Sequence, residues 1–338
     1  MTRPATMIQE TLKETNVLVT GGAGFIGSEV TRQLVCAGAR VTVLDNFASG
    51  KKQYLERLRV RVVKADICDK RTISRCMSDQ EIVYHLAALP FIPDSYLNPQ
   101  EFFRVNVEGT LNLLWKAIHS ESVKRFVYIS SSEVYGTAQR IPMDEDHPTQ
   151  PHSTYAVSKL AADRAVFTLH KEQDFPVVIL RPFNSYGPRI TQPYIIPEIA
   201  IQLLEGQGHL KLGNVESSRD FTFVEDTARA ILLASLVDQA VGEVINIGSG
   251  TETKIEDLAA LIAQIIKTKF VLDRDKSRIR PYDVDRLICN NSKAQKLLEW
   301  RPEVQLQDGL TQAVDWIRKN KVKFKAPFKG AVSWYRSP

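Results

Sequence analysis

The chain has 338 residues, room for about two domains at ~150 residues each. Apolar residues make up 43% and charged residues 25%, the balance of an ordinary globular chain, which excludes a disordered or fibrous protein. A net charge of +5 is too small at this length to argue for nucleic acid, and the basic run "IRKNKVKFKAPFK" near the end reads as a solvated tail.

The N-terminal stretch "MTRPATMIQETLKET" lacks the apolar core of a signal peptide, and no segment approaches the ~20 apolar residues of a membrane span. The four cysteines, Cys36, Cys68, Cys76 and Cys289, contain no CxxC pair, so a reducing cytoplasm is expected, and Asn290-Asn291-Ser292 is a chance match to a glycosylation acceptor.

Short β-branched stretches then follow in order. "NVLVT" (16–20) is the first strand, and "TGGAGFIG" opens the helix after it. Gly21, Gly24 and Gly27 suit a tight turn, a backbone that approaches a pyrophosphate, and a helix packed close to the strand, with Phe25 and Ile26 beside them. The helix N-terminus offers N–H groups and a positive dipole end to the phosphates. "FIGSEVTRQLVCAG" places Ile26, Val30, Leu34 and Val35 on one face and closes on Gly38.

"RVTVL" (40–44) is the second strand, and Asp45 ends it eighteen residues after Gly27. A carboxylate there accepts from a ribose diol and repels a 2′-phosphate, so the cofactor is NAD rather than NADP, with Asn46 alongside. "VRVVKA" (60–65) leads into Asp66 and Ile67, where the adenine edge is expected. "EIVYHLA" (81–87) is the fourth strand, and "HLAA" (85–88) ends it with Leu86 and the small Ala87 and Ala88, which allow close cofactor approach; His85 reads as a hydrogen-bonded strand residue, and no metal site is expected.

"RFVYIS" (125–130) runs into Ser131-Ser132-Glu133, an unusual end for a buried strand. "YAVSK" sets Tyr155 and Lys159 one helical turn apart. A free phenol has a pKa near 10, and bringing it to neutrality takes ~4 kcal/mol of differential stabilisation, which a neighbouring ammonium and a nicotinium ring can supply. "PVVILR" (176–181) and "EVINIG" (243–248) complete a set of near-continuous apolar strands with helical crossovers, the pattern of a doubly wound, Rossmann-type parallel sheet.

After residue 187 the chain becomes proline-rich and irregular. Residues 16–187 are expected to form the cofactor domain, to which 243–248 returns, and 188–338 mainly a smaller, mixed C-terminal substrate lobe, with the cleft at the carboxyl ends of the parallel strands.

In order, "TGGAGFIGS", "LDNF", "HLAA", "VNVEGT", "ISSSEVYG", "YAVSK", "RPFNSYGPR", "RDFTFVEDTA" and "NIGSG" resemble the extended short-chain dehydrogenase/reductases of the nucleotide-sugar epimerase and dehydratase group over about residues 16–315. The resemblance implies a bound, recycled NAD and oxidation of the sugar at carbon 4 by Tyr155, assisted by Lys159 and Ser131. It implies that Asn184, Arg219 and Arg280 hold the nucleotide diphosphate, that "YIIP" (194–197) lies along the base, and that the protein is a homodimer through the Tyr155 helix and the helix around 99–118. No nucleic-acid or membrane partner is implied.

Within that group Glu133 marks more than a simple 4-epimerase, which needs only the Tyr, Lys and Ser. A 4,6-dehydratase needs a base for the carbon-5 proton, and Glu133, expected close to Tyr135 and above the nicotinamide, suits that role. Ser132 stands where dTDP-glucose dehydratases carry an acidic Asp. "IPDSY" (92–96) resembles the dehydratases of nucleotide-linked N-acetylglucosamine. A UDP-glucuronate decarboxylase would need an arginine for the carboxylate, Arg189 or Arg219. The expectation is therefore a 4,6-dehydratase, with 4-epimerase and decarboxylase as alternatives.

Overall fold

The structure is a computed structural model and describes residues 4–206, 208–279 and 282–324. The chain opens with α1 (Pro4–Leu12) and then alternates β1 (Asn16–Thr20), α2 (Phe25–Cys36), β2 (Arg40–Asp45), β3 (Val60–Lys64), α3 (Lys70–Met77), β4 (Ile82–His85), α4 (Ile92–Leu97), α5 (Pro99–Phe103), α6 (Thr110–Ile118), β5 (Arg125–Ile129), α7 (Thr154–Gln173) and β6 (Val177–Pro182). It continues through β7 (Asn184–Tyr186), α8 (Ile195–Leu204), β8 (His209–Leu212), β9 (Ser218–Phe223), α9 (Val224–Leu236), β10 (Val244–Ile247), β11 (Glu252–Lys254), α10 (Ile255–Ile266), β12 (Val271–Arg274), β13 (Arg286–Leu287), α11 (Ser292–Leu298) and α12 (Leu306–Asn320).

Seven strands form one parallel sheet in the order β10-β6-β5-β4-β1-β2-β3, and these are the seven stretches expected from the sequence. Successive residues point to opposite faces, so Val17 and Val19 enter one core with Val30 and Leu34 of α2, while Leu18 enters the other with Val83, Leu113, Phe126 and Val166. Strand order reverses between β1 and β4, which opens a crevice at their carboxyl ends.

The second half of the chain is more divided than a boundary near residue 187 implies. α8, α10 and α12 pack around Ile199, Leu258, Ile262, Leu310 and Val314 to form the smaller lobe, with β9 between β11 and β13 and β7 also on β9. α9, however, carries Ala228, Ile231, Leu232 and Ala234 back under the sheet, beside α1 and α2, and α11 returns there with Ala294, Leu298 and Trp300. Both helices turn their apolar residues toward that side of the sheet, where they join the core beneath it.

Among the described residues no helix is long and apolar enough to cross a membrane. The four cysteines are unpaired thiols. Of the basic tail, Arg318 and Lys319 lie in the last turn of α12, where cations complement the helix dipole, and 325–329 fall outside the described residues.

Trp300 is fully buried and its indole N–H donates to the Asp226 carbonyl at 2.9 Å, so it locks α11 to α9. Trp300→Ala is expected to lower the unfolding free energy by about 3–5 kcal/mol in denaturant titrations; a loss under about 1 kcal/mol would place α11 outside the cooperative core.

Candidate active site

The glycine turn is a steric fit before it is a binding site. Gly21 has φ +71°, and a Cβ on it would lie 2.7 Å from the Ala87 nitrogen beyond β4. A Cβ on Gly27 would lie 2.0 Å from the Gly21 carbonyl oxygen. α2 therefore seats directly on the end of β1, and its N-cap, Gly24, brings no side chain to the first-turn N–H groups.

Asp45 ties this turn to β2. Its Oδ2 accepts the Ala23 N–H at 2.9 Å and its Oδ1 the Phe47 N–H at 2.8 Å. Burial pushes its pKa up, and the two N–H donors oppose that.

Gly21, Gly24, Phe25, Ile26, Gly27, Asp45, Asn46, Asp66, Ile67, Leu86, Ala87 and Ala88 all border one cleft of about 420 Å³. Asp66 accepts the Cys68 N–H at 2.8 Å and lies 3.5 Å from Arg104. A glycine-lined cradle at a helix N-terminus with a carboxylate at the second strand fits a dinucleotide. His85 stays out of the cleft, bonded to Thr20 at 2.7 Å and Thr110 at 2.8 Å, and burial pushes its pKa down to about 3, so it is a neutral strand residue.

The same cleft continues to Ser131, Ser132, Glu133, Tyr155 and Lys159. Ser153 caps α7 by accepting the Ala156 N–H at 3.1 Å, which fixes where Tyr155 and Lys159 leave the helix. Lys159 is buried, donates to the Ile129 carbonyl at 2.6 Å, and sits 4.5 Å from the Tyr128 ring centroid. Burial pushes its pKa down to about 7, and Asp163 opposes this.

Burial pushes the Tyr155 phenol up to about 12; the Ser131 hydroxyl pulls it down and the Glu133 carboxylate pushes it further up. Ser131 is thus one group that eases ionisation of Tyr155. One of the three Lys159 N–H donors is held by the Ile129 carbonyl, and two remain.

Residues 132–135 form a short 3₁₀ turn capped by Ser131, whose Oγ accepts the Glu133 N–H at 3.2 Å. The turn splits its side chains. Ser132 and Glu133 border the cleft, but Tyr135, expected beside Glu133, is fully buried and donates to Asn246 Oδ1 at 2.8 Å.

The substrate-side residues divide as well. Asn184 borders the cleft, and its buried Oδ1 has no hydrogen-bond partner among the described residues, an acceptor whose desolvation a ligand donor would relieve. Arg219 borders the cleft, with its guanidinium donating to the Ser218, Val284 and Asp285 carbonyls at 2.9, 2.7 and 3.3 Å.

Arg189 does not border it. It pairs with the fully buried Glu29 of α2, a buried carboxylate that the sequence pattern gave no reason to place there. Arg280 lies outside the described residues. Arg278, not anticipated, borders the cleft and pairs with Glu198 of α8; its only sequence signal is its place two residues before Arg280. Tyr194 of "YIIP" also borders the cleft, edge-on to Phe91 at 6.1 Å between ring centroids.

Residues 18–313 match the GDP-mannose 4,6 dehydratase family. The chain is 31% identical over 317 residues to the UDP-N-acetyl-alpha-D-glucosaminuronate decarboxylase of Bacillus cytotoxicus, covering 89% of this chain and 97% of that one. Among solved structures, the UDP-glucose 4-epimerase of Thermotoga maritima, crystallised with UDP-glucose, superposes with a TM-score of 0.84 at 33% identity, over 91% of this chain and 100% of that one. A dTDP-glucose 4,6-dehydratase of Streptomyces venezuelae, solved with NAD bound, gives 0.84 at 31% identity, over 91% and 98%. With this fold, this glycine cradle and these matches, the chain belongs to the extended short-chain dehydrogenase/reductases that make up the NAD-dependent nucleotide-sugar dehydratases and epimerases. Those relatives carry out three different reactions, so membership alone leaves the reaction open.

Gly27→Ala drives a methyl into the Gly21 carbonyl and is expected to cost at least about 2 kcal/mol of unfolding free energy, measured by chemical denaturation. A neutral result would mean that α2 is not held against β1.

Proposed function

We propose that this protein is an NAD-dependent 4,6-dehydratase of a nucleotide hexose. One observation supports this above a 4-epimerase: a carboxylate, Glu133, borders the same cleft as Tyr155 and makes the phenol harder to ionise, although UDP-glucuronate decarboxylases carry a similar Ser-Glu pair. A 4-epimerase needs only a tyrosinate, a lysine and a serine, so for it this carboxylate works against the chemistry. For a dehydratase the same carboxylate has a later use.

NAD, held by the Gly21, Gly24 and Gly27 turn and by Asp45, would supply the hydride acceptor and donor that this reaction needs. Tyr155 takes the 4-hydroxyl proton, with Ser131 sharing its hydrogen bond and Lys159 as the nearby cation. Once carbon 4 is a ketone, the proton on carbon 5 is acidic, and Glu133 takes it. The carbon–oxygen bond at carbon 6 then breaks, a carbon 5–carbon 6 double bond forms, and Glu133 returns its proton to the departing oxygen as water. Ser132, a hydroxyl in the position of an acid, donates a hydrogen bond to that oxygen. The hydride from carbon 4 would end on carbon 6, and Tyr155 gives up to carbon 5 the proton it took from the 4-hydroxyl, which leaves a 4-keto-6-deoxy sugar and one water and returns both side chains to their starting states.

The decarboxylase reading is weaker because Arg189 is engaged by Glu29 and stays off the cleft, and Arg219 is taken up by the nucleotide diphosphate in this reading, which leaves neither for a hexuronate carboxylate. Asn184, Arg219 and Arg280 are assigned to the nucleotide diphosphate. Four unpaired thiols fit a cytoplasmic setting.

Incubation with dTDP-glucose, UDP-glucose and UDP-N-acetylglucosamine is expected to give, with at least one, a product lighter by one water in mass spectrometry. An isomer of unchanged mass would identify an epimerase, and loss of carbon dioxide from UDP-glucuronate a decarboxylase. Glu133→Gln is expected to lower dehydration by roughly 10²–10⁴-fold while leaving NAD affinity within about threefold. Tyr155→Phe is expected to remove turnover altogether.

We also infer a homodimer through α6 and α7. Leu97, Phe103, Trp115 and Val157 are 54, 41, 51 and 39% exposed on the neighbouring helices α4 to α7, an apolar set that a second copy would cover. Trp115→Glu combined with Val157→Asp is expected to convert the dimer to a monomer in light scattering; a wild-type monomer would end this assignment.

A further inference from the structure

Beneath the catalytic helix lies a buried ion pair that no step above uses. Asp163 sits one turn beyond Lys159 on α7, so the two side chains share a helix face. It is fully buried, and Arg181 of β6, only 3% exposed, grips it with both arms of its fork: Nε to Oδ2 at 2.9 Å and Nη2 to Oδ1 at 3.1 Å. Nη1 of Arg181 donates to the Tyr135 hydroxyl at 2.9 Å, and Tyr135 donates on to Asn246. Arg164 pairs with the same carboxylate from the outer side of the helix. Neither Asp163, Arg181, Tyr135 nor Asn246 borders the cleft, so substrate contact does not account for them.

Buried ion pairs add little stability over apolar side chains of the same shape, because desolvation offsets their attraction. This pair is placed where charge matters to a neighbour. Around Lys159 lie the Ile129 carbonyl and Tyr128 ring of β5 and the neutral His85 of β4, and it shares the cleft lining with Tyr155, Ser131 and Glu133. Burial pulls the ammonium down to about 7, and Asp163 is the charge that opposes this. Asp163 remains ionised because Arg181 and Arg164 outweigh the effect of burial and hold its pKa below the usual range.

We propose that Asp163 is a positioning residue of this active site: its carboxylate keeps the ammonium of Lys159 charged inside the fold, and Arg181, by competing for that carboxylate, sets how strongly the lysine feels it. The inference rests on the reading of Tyr155 and Lys159 as reacting groups only for its effect on turnover; the charge of Lys159 is measurable without substrate.

The test is the titration of Lys159 in the NAD-loaded protein, followed by NMR of ¹³C-labelled lysine, with its signal assigned by its loss in Lys159→Met. Asp163→Asn is expected to move the midpoint down by roughly one pH unit, and Asp163→Glu to restore it. Arg181→Met, which frees the carboxylate, is expected to move it up. A purely structural role gives both replacements the same sign or none, so midpoints that stay put or fall in both variants overturn the proposal. If Asp163→Asn does not fold, the sign for Arg181→Met decides alone. In turnover, the alkaline limb of kcat is expected to follow the same shifts, roughly tenfold lower near pH 8 for Asp163→Asn, with KM within about threefold. An active Tyr155→Phe variant would sink the reading of the site but not the titration result; an inactive one with an unmoved midpoint would sink the present inference alone.

Discussion

A lysine ammonium lies out of water at the end of β5, and much of the site follows from keeping it there. Lys159 binds the Ile129 carbonyl where β5 ends, which fixes α7 against the carboxyl end of the sheet. That contact sets Tyr155 over the crevice and brings Ser131, two residues after Ile129, within reach of the phenol. A buried cation needs compensation, and the molecule supplies it from below through Asp163 and from the side through the Tyr128 ring, leaving the cleft face free for ligand.

The glycine turn and the catalytic turn meet the same cleft from opposite sides of the strand-order reversal. Gly21 against Ala87 brings the ends of β1 and β4 together, and β5 lies next in the sheet. The lobe closes the far side. There Asp220 of β9, fully buried, accepts the N–H groups of Ser249, Gly250 and Cys289 at 2.7, 2.7 and 3.1 Å, so the turn that leaves β10 is bound to the strand that presents Arg219. One carboxylate thereby couples the returning sheet strand to the substrate side.

What could be read from the sequence was whatever is encoded locally. Seven strands are visible because each is a short apolar run, and the glycine spacing, Asp45 and the Tyr155–Lys159 pair sit within a turn or two of the elements that place them. Residues whose position depends on a distant partner were not legible. Arg189 leaves the cleft because Glu29, 160 residues earlier, is buried beside it. Tyr135 turns inward because Arg181 and Asn246 wait there. α9 and α11 read as part of the lobe, since nothing in an amphipathic stripe says which apolar surface it will cover. The fold was therefore more legible than the site, and the cofactor half of the site more than the substrate half.

Asp45 carries a consequence for re-engineering. Both carboxylate oxygens are already engaged by backbone N–H groups, Ala23 in the glycine turn and Phe47 after β2, and their remaining lone pairs are what a ribose diol would meet. The loop architecture is thus vested in one side chain, the same one proposed to select the dinucleotide. A swap toward the phosphorylated dinucleotide by exchanging this residue for a small or basic one would orphan two amides and slacken the loop that seats the pyrophosphate, so such a redesign has to install replacement acceptors before it adds a cation.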